Sequence, residues 1–244
     1  MKHLAIYFIA TSNYQNGFRF FKENLNTFFP NFRKTVIILS DGLTEWNNVE
    51  EDNITYKVYH IDHFCWPIIT LFKMKYILEY RIDCDYVCYC NANLQFNINY
   101  NYDNDTIFDL TKLNVSQHAC AYNNDMFDGY IFCENKMSPT YKEFVKESET
   151  NIDHPYKYVH AAFFMGPSDI VYKMCNDIAT SVEIDLRKNI IPLYHDETYL
   201  NKWVDTHPDL IHRGKFLSNG YFDDNIPFSL VQSFIKNRES IIER

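Results

Sequence analysis

The chain has 244 residues, 46% of them hydrophobic and 17% aromatic, and a formal net charge of −9. That length can bury one substantial core, and the acidic balance excludes a protein that grips a nucleic-acid backbone, which needs clustered Lys and Arg. No apolar run reaches the roughly 18 residues of a membrane helix, and MKHLAIYFIATS turns polar too early for a secretory signal. An anionic small ligand stays open wherever basic residues are focused locally. The seven cysteines form no zinc-type C-x2-C pairs and fit a reducing cytoplasm. Cys84, Cys88 and Cys90 read as buried strand residues. Glycine and proline are few and no linker-like stretch interrupts the chain, so one domain over 1–244 is expected.

The apolar run 3–10 reads as a strand that ends in the polar turn TSNY. Residues 17–29 show helical spacing closed by Pro30, and 34–40 form a second buried strand ending at the turn signal Asp41-Gly42. Residues 54–61 alternate like an edge strand. A helix over 66–80 follows, with Pro67 where a helix can begin, and then the strand DYVCYCN. This alternation predicts an α/β fold with a mostly parallel sheet flanked by helices. From 100 to 155 the pattern weakens; 99–110 reads as loop and 138–149 as helix. Strand character returns over 157–166, followed by an amphipathic helix over 168–186 with Ser168 as N-cap.

Sheets of this kind bind ligands beyond the carboxyl ends of their strands. Two stretches end strands in that way, ATSNY and Asn91-Ala92-Asn93. Neither is followed by a glycine-rich dinucleotide or P-loop motif, so a nucleotide has to be held differently. The abundant Tyr and Phe suit a groove for sugars or bases, although most of them fill the core. His195, Asp196 and Glu197 open a helix whose apolar residues are Leu200, Trp203 and Val204. The positive end of a helix favours an anion, so Glu197 is expected to be ionised, suited to stabilising positive charge or attacking an electrophile. Spacing alone leaves the alternative that these acids only stabilise the helix.

HDETYLNKW (195–203) resembles the His-Asp-Glu-Ser-x-Leu-Asn-Lys-Tyr signature of the retaining α-1,3-glycosyltransferases of family 6. These include the histo-blood-group A and B transferases, the α-1,3-galactosyltransferases and smaller bacterial relatives. IATSNY (9–14), CWPIITLFKMK (65–75), DYVCYCNANLQF (85–96), HAAFFMG (160–166) and IIPLYHDETYLNKW (190–203) fall in the family's order, so the resemblance spans the chain to about residue 220. It implies a single-domain GT-A fold with a Rossmann-like sheet. The donor nucleotide half would be about 1–96, the acceptor and catalytic half about 97–220, and a basic tail about 221–244.

Where vertebrate members carry Asp-x-Asp, this chain has Asn91-Ala92-Asn93, similar to the bacterial members that work without a divalent metal. The chemistry agrees, because Mn²⁺ and Mg²⁺ prefer charged oxygen ligands. The resemblance thus implies no metal and no cofactor, a UDP-sugar donor, an oligosaccharide acceptor with terminal galactose, and a bacterial cytoplasmic setting with room for a peripheral seat on the inner membrane. Glu197 would be catalytic, under the anomeric carbon. Donor contacts would come from Ile9, Ala10, Thr11, Tyr14, Trp66, Lys73, Asn91, Ala92, Asn93, His160, Ala161, Ala162 and Asp196. Tyr14 would stack near uracil, the two amides would bond ribose and sugar hydroxyls, and Lys236, Arg238 and Arg244 of the tail would offset the charge on departing UDP. Lys73 stands where the family usually has Arg, keeping the charge and losing the bidentate fork.

His160-Ala161-Ala162 resembles the triplet of the α-1,3-galactosyltransferases, which favours UDP-galactose over UDP-GalNAc. The acceptor, a β-galactoside with or without fucose, would meet His195, Tyr122 and Phe127, with Trp66 also able to stack on it; His195 equally reads as a buried structural histidine. The chain departs from the family at 140–148, TYKEFVKES, where two arginines are missing, and at Ile68 and Ile69, where Asp or Asn is expected. Those departures leave two alternatives: an inactive sugar-nucleotide or glycan-binding homologue, and a UDP-sugar hydrolase.

Overall fold

The computed structural model describes residues 1–23, 25–97, 100, 107–117, 132–142, 158–219 and 226–230. Strands β1 (His3–Ile9), β2 (Arg33–Ser40), β3 (Glu50–Glu51), β4 (Ile54–His60) and β5 (Tyr86–Asn91) come first, with α1 (Gly17–Glu23), α2 (Ile68–Leu71) and α3 (Lys73–Glu79) between them. Then follow β6 (Leu94–Phe96), β7 (Leu113–Gln117), β8 (Val159–Pro167), α4 (Ser168–Arg187), α5 (His195–Thr206), β9 (Ile211–Gly214), β10 (Leu217–Asn219) and β11 (Phe228–Leu230).

Eight strands form one mixed sheet in the order β3-β4-β2-β1-β5-β8-β7-β9. The pairs β4–β2, β2–β1, β1–β5 and β7–β9 are parallel, while β3 and β8 run against their neighbours. This is an α/β, GT-A-like fold with a mostly parallel core. β1, β2 and β5 are continuous apolar runs because both faces of the sheet are covered. One face, with Tyr7, Leu39, Val87 and Tyr89, packs under α3, α4 and α5. The other, with Ile6, Phe8, Ile38 and Cys90, packs under α1 and a small second sheet ordered β10-β11-β6. That second layer is ring-rich: Phe8, Phe21, Phe28, Phe96 and Phe228 make a run of contacts with centroids 4.7 to 5.6 Å apart.

Several elements differ from the expectations above. The helix expected over 17–29 stops at Glu23, and turns carry Leu25 to Phe29, whose φ is 45°. The aromatic side chains there pack without helical backbone. The helix expected over 66–80 is broken at Phe72 into α2 and α3. β4 is not the edge, because the two-residue β3 covers it. Ser168 is the first residue of α4, capped by Pro167 with no side-chain bond. Residues 138–140 form a turn and Tyr141 bridges Cys133 where the helix over 138–149 was expected to begin, while 143–149 lie outside the described residues, and β7 lies in a stretch that showed no strand pattern. Among the described residues no helix is long and apolar enough to cross a membrane.

Candidate active site

The strand order reverses between β1 and β5, which opens a crevice at their carboxyl ends. Ile9 and Asn91 are register partners there, so the ATSNY and Asn-Ala-Asn turns leave the sheet side by side. β8 runs antiparallel to β5, with Phe163 opposite Cys90, which brings His160, Ala161 and Ala162 to the same end. The start of α5 reaches this point through Asn201. Its amide nitrogen donates to the Val159 carbonyl at 2.9 Å, and its oxygen accepts the Val159 N–H at 2.9 Å. A side chain thus takes the place of a strand partner, locking α5 to the first residue of β8.

Glu197 is held by main chain and side chain together. Its Oε1 accepts the Ala161 N–H at 3.2 Å, and its Oε2 accepts from the Tyr158 hydroxyl. His160 Nδ1 lies 3.3 Å from Oε1 but also accepts the Ala162 N–H at 3.0 Å. A ring nitrogen that accepts carries no hydrogen, so His160 gives Glu197 no hydrogen bond through that atom. The sequence-based expectation of a fully ionised Glu197 is corrected here. Burial pushes its carboxyl up to about 7, against the Ala161 N–H and the Lys73 charge, which both pull it down. Loss of water outweighs the first helical turn because the partial charge of a helix end is small beside the cost of a poorly hydrated anion.

Asp196 turns the other way. Its Oδ2 meets Lys73 Nζ at 2.6 Å, and that ammonium also donates to the Ala161 carbonyl at 2.8 Å. The Lys73 side chain is only 4% exposed, so it sits beneath the site and does not face open solvent. Burial lowers its pKa, and Asp196 with Tyr89 more than offsets that, holding it above the ordinary lysine range. Lys73 also lies 4.3 Å from the centre of the Tyr89 ring. The Tyr89 hydroxyl donates to Asn91 Oδ1 at 2.9 Å, and Asn91 Nδ2 donates to Asn93 Oδ1 at 2.8 Å. Burial pushes the Tyr89 phenol up to about 12, so it stays a donor.

Of the remaining candidates, Ile9, Ala10 and Thr11 are buried at the end of β1, with Ala10 fully enclosed. Ala10 therefore shapes the crevice floor through its carbonyl, which accepts from Ser40 Oγ at 2.6 Å. Thr11 Oγ1 bonds His63 Nδ1 at 3.0 Å. Tyr14 lies in a 3-10 turn over Ser12–Asn16 and is exposed, as is Trp66. The Trp66 ring meets His195 edge-on at 4.4 Å, and burial lowers the His195 pKa, opposed by Asp196, so its ring is neutral near pH 7. Tyr122, Phe127, Lys236, Arg238 and Arg244 lie outside the described residues. The structure adds Tyr158, Tyr89, Asn201 and His63 to the site. Asn201 and Tyr89 sat inside the quoted stretches; Tyr158 and His63 carried no local signal, since each acts through a partner distant in sequence. Among the described residues no group of three or more His, Cys, Asp and Glu is placed to hold a metal ion.

The open α/β sheet is GT-A-like, and the carboxylate and the amide turn at its point of strand reversal mark a candidate crevice at the ends of β1 and β5. No protein-family model matches the chain. It is similar to the O-antigen biosynthesis glycosyltransferase WbnI of Escherichia coli, with 25% identity over 207 residues that cover 81% of this chain and 80% of WbnI. Fold, site and likeness together support a glycosyltransferase.

Proposed function

We propose that the chain is a metal-independent, retaining α-1,3-glycosyltransferase. It moves galactose, in preference to GalNAc, from a UDP-sugar to a β-galactoside or fucosylated galactoside acceptor. The observation that carries this reading is the unequal pair Asp196 and Glu197. Lys73 neutralises Asp196, while Glu197 is fixed between Tyr158 and the Ala161 N–H beside Ala162. One carboxylate suffices for transfer from UDP, already a good leaving group, whereas a glycosidase flanks the bond with two carboxyls.

Glu197 lies under the anomeric carbon, either forming a glycosyl-enzyme or supporting an oxocarbenium-like state during same-face attack. Asp196, held by Lys73, bonds donor hydroxyls, and Lys73 acts by positioning it. Asn91 and Asn93 bond the donor, and Lys236, Arg238 and Arg244 offset the diphosphate charge. Trp66 and His195 face the acceptor. The relative's role in O-antigen biosynthesis fits an enzyme that builds surface glycans.

The test mixes the protein with UDP-galactose or UDP-GalNAc, lactose and 2′-fucosyllactose in EDTA. Release of UDP that requires acceptor is expected. Binding without release would make the chain an inactive homologue. A second reading, UDP-sugar hydrolase, is favoured by one observation: a carboxyl near 7 is suited to activating water as a general base. Release of UDP at full rate without acceptor would select it.

A further inference from the structure

Where the chain leaves β1 and enters the 3-10 turn that carries Tyr14, it is held from the end of β2. The Ala10 N–H donates to the Leu39 carbonyl at 2.9 Å, and the Ala10 carbonyl accepts from Ser40 Oγ. Asp41, the residue that follows β2, takes the Ser12 N–H on both carboxylate oxygens, at 2.9 and 3.2 Å. One of those oxygens also accepts from the Gln15 amide at 2.5 Å. Gly42 leaves room for that amide, since a Cβ there would stand 2.5 Å from Gln15 Oε1. A single side chain thus grips the turn on both sides of Tyr14.

Ser12 needs that grip. Its φ is 53°, in the left-handed region where a side chain crowds the following carbonyl. Glycine adopts this conformation freely; serine does so only when its surroundings hold it there. The Asp41 bonds do the holding, and hydrogen bonds to a charged acceptor are the stronger kind. The end of β2 is also where open α/β nucleotide sites place an acid on the ribose hydroxyls. Here both oxygens of that acid are engaged by the protein's own turn.

We propose that Asp41 is a positioning residue, which holds Ser12 left-handed and so fixes, before any ligand arrives, the turn on which Tyr14 meets the nucleoside. Affinity then scales with the fraction of molecules that keep the turn in this conformation. The proposal deepens the donor-site reading and rests on it for the identity of the ligand. It gives Asp41 no contact with that ligand.

Calorimetric titration of uridine, 2′-deoxyuridine and UDP tests it on the wild type, Asp41→Ala, Ser12→Gly and the double variant. Hydrogen exchange over residues 11–17 supplies a readout that needs no ligand. Asp41→Ala should bind all three about tenfold more weakly, as the competent turn falls to roughly a tenth of the population. The double variant should bind about threefold to fivefold more tightly than Asp41→Ala, because glycine accepts the left-handed region. A residue that only stabilised the fold would show no such rescue. Exchange in Asp41→Ala should be about fivefold faster over 11–17 and unchanged over 34–40. Wild-type affinity in Asp41→Ala, or a double variant no tighter than Asp41→Ala, would overturn the proposal. So would unchanged exchange over 11–17, or faster exchange over both stretches. A loss for uridine that 2′-deoxyuridine does not share would put Asp41 on the ribose and overturn it too. The expected exchange pattern in a protein that binds none of the three probes would keep Asp41's hold on the turn and remove the UDP-sugar reading.

Discussion

At Glu197 two opposing effects meet, and their balance sets how activity and stability depend on pH. Burial raises its carboxyl from the ordinary 4.5 to about 7, so below that pH much of the folded protein carries it neutral. Turnover that needs the anion should therefore climb as pH passes through about 7, as read from a kcat–pH profile. Tyr158→Phe removes a donor to the anion, raises the carboxyl further and should move that rise to higher pH with a lower plateau. Glu197→Gln should keep donor binding and lower kcat by roughly 10³-fold or more, the scale of a lost catalytic group. Near-normal turnover would remove the role assigned here. Stability runs the opposite way. A carboxyl raised in the fold favours the folded state while it is protonated. That contribution is complete below 4.5 and lost as pH rises through about 7. Glu197→Gln should thus melt like the wild type at pH 4 and be more stable by about 2 kcal/mol at pH 8; equal melting at both pH values would count against a buried, ionising Glu197.

At the scale of elements, the site depends on how α5 is fastened to β8. Val159 is fully buried, and the Asn201 amide satisfies both its N–H and its carbonyl. Asn201→Leu has similar volume but orphans both groups, each costing about 1–3 kcal/mol. A loss of roughly 3 kcal/mol is expected in urea unfolding, with kcat falling because Glu197 sits one turn earlier on the same helix. Gly17 plays a matching part on the other side. Any side chain there meets the Ala92 carbonyl, so Gly17→Ala should weaken UDP binding by displacing the Asn-Ala-Asn turn. The quoted motif already marked His195, Asp196 and Glu197, and its Asn was in view. That Asn201 serves as a substitute strand partner was not legible, because the residue it serves lies 42 positions away. The break at Phe72 was equally hidden, since the apolar spacing of α2 and α3 continues across it.

At the scale of the whole molecule, the proposed donor site is assembled from the carboxyl ends of β1 and β5, the start of β8 and the start of α5. Truncation after Ile235 removes Lys236, Arg238 and Arg244 and should weaken UDP affinity; an unchanged Kd would show that the tail is not the phosphate clamp. The sequence by itself determined the α/β class, because alternating buried strands and amphipathic helices leave no other covered sheet. It also marked three of the stretches that meet at the site, ATSNY, Asn91-Ala92-Asn93 and His195-Asp196-Glu197, because their polar residues end apolar strands or open a helix; His160-Ala161-Ala162 stood out by the family resemblance alone. Tertiary structure alone decided the charge states and the polarity of the site. Whether Glu197 ionises depends on the water taken from it by β8 and α5. How Asp196 is held depends on Lys73, 123 positions away in the chain. Such effects arise from distance and dielectric between residues remote in the chain, and no local pattern encodes either one.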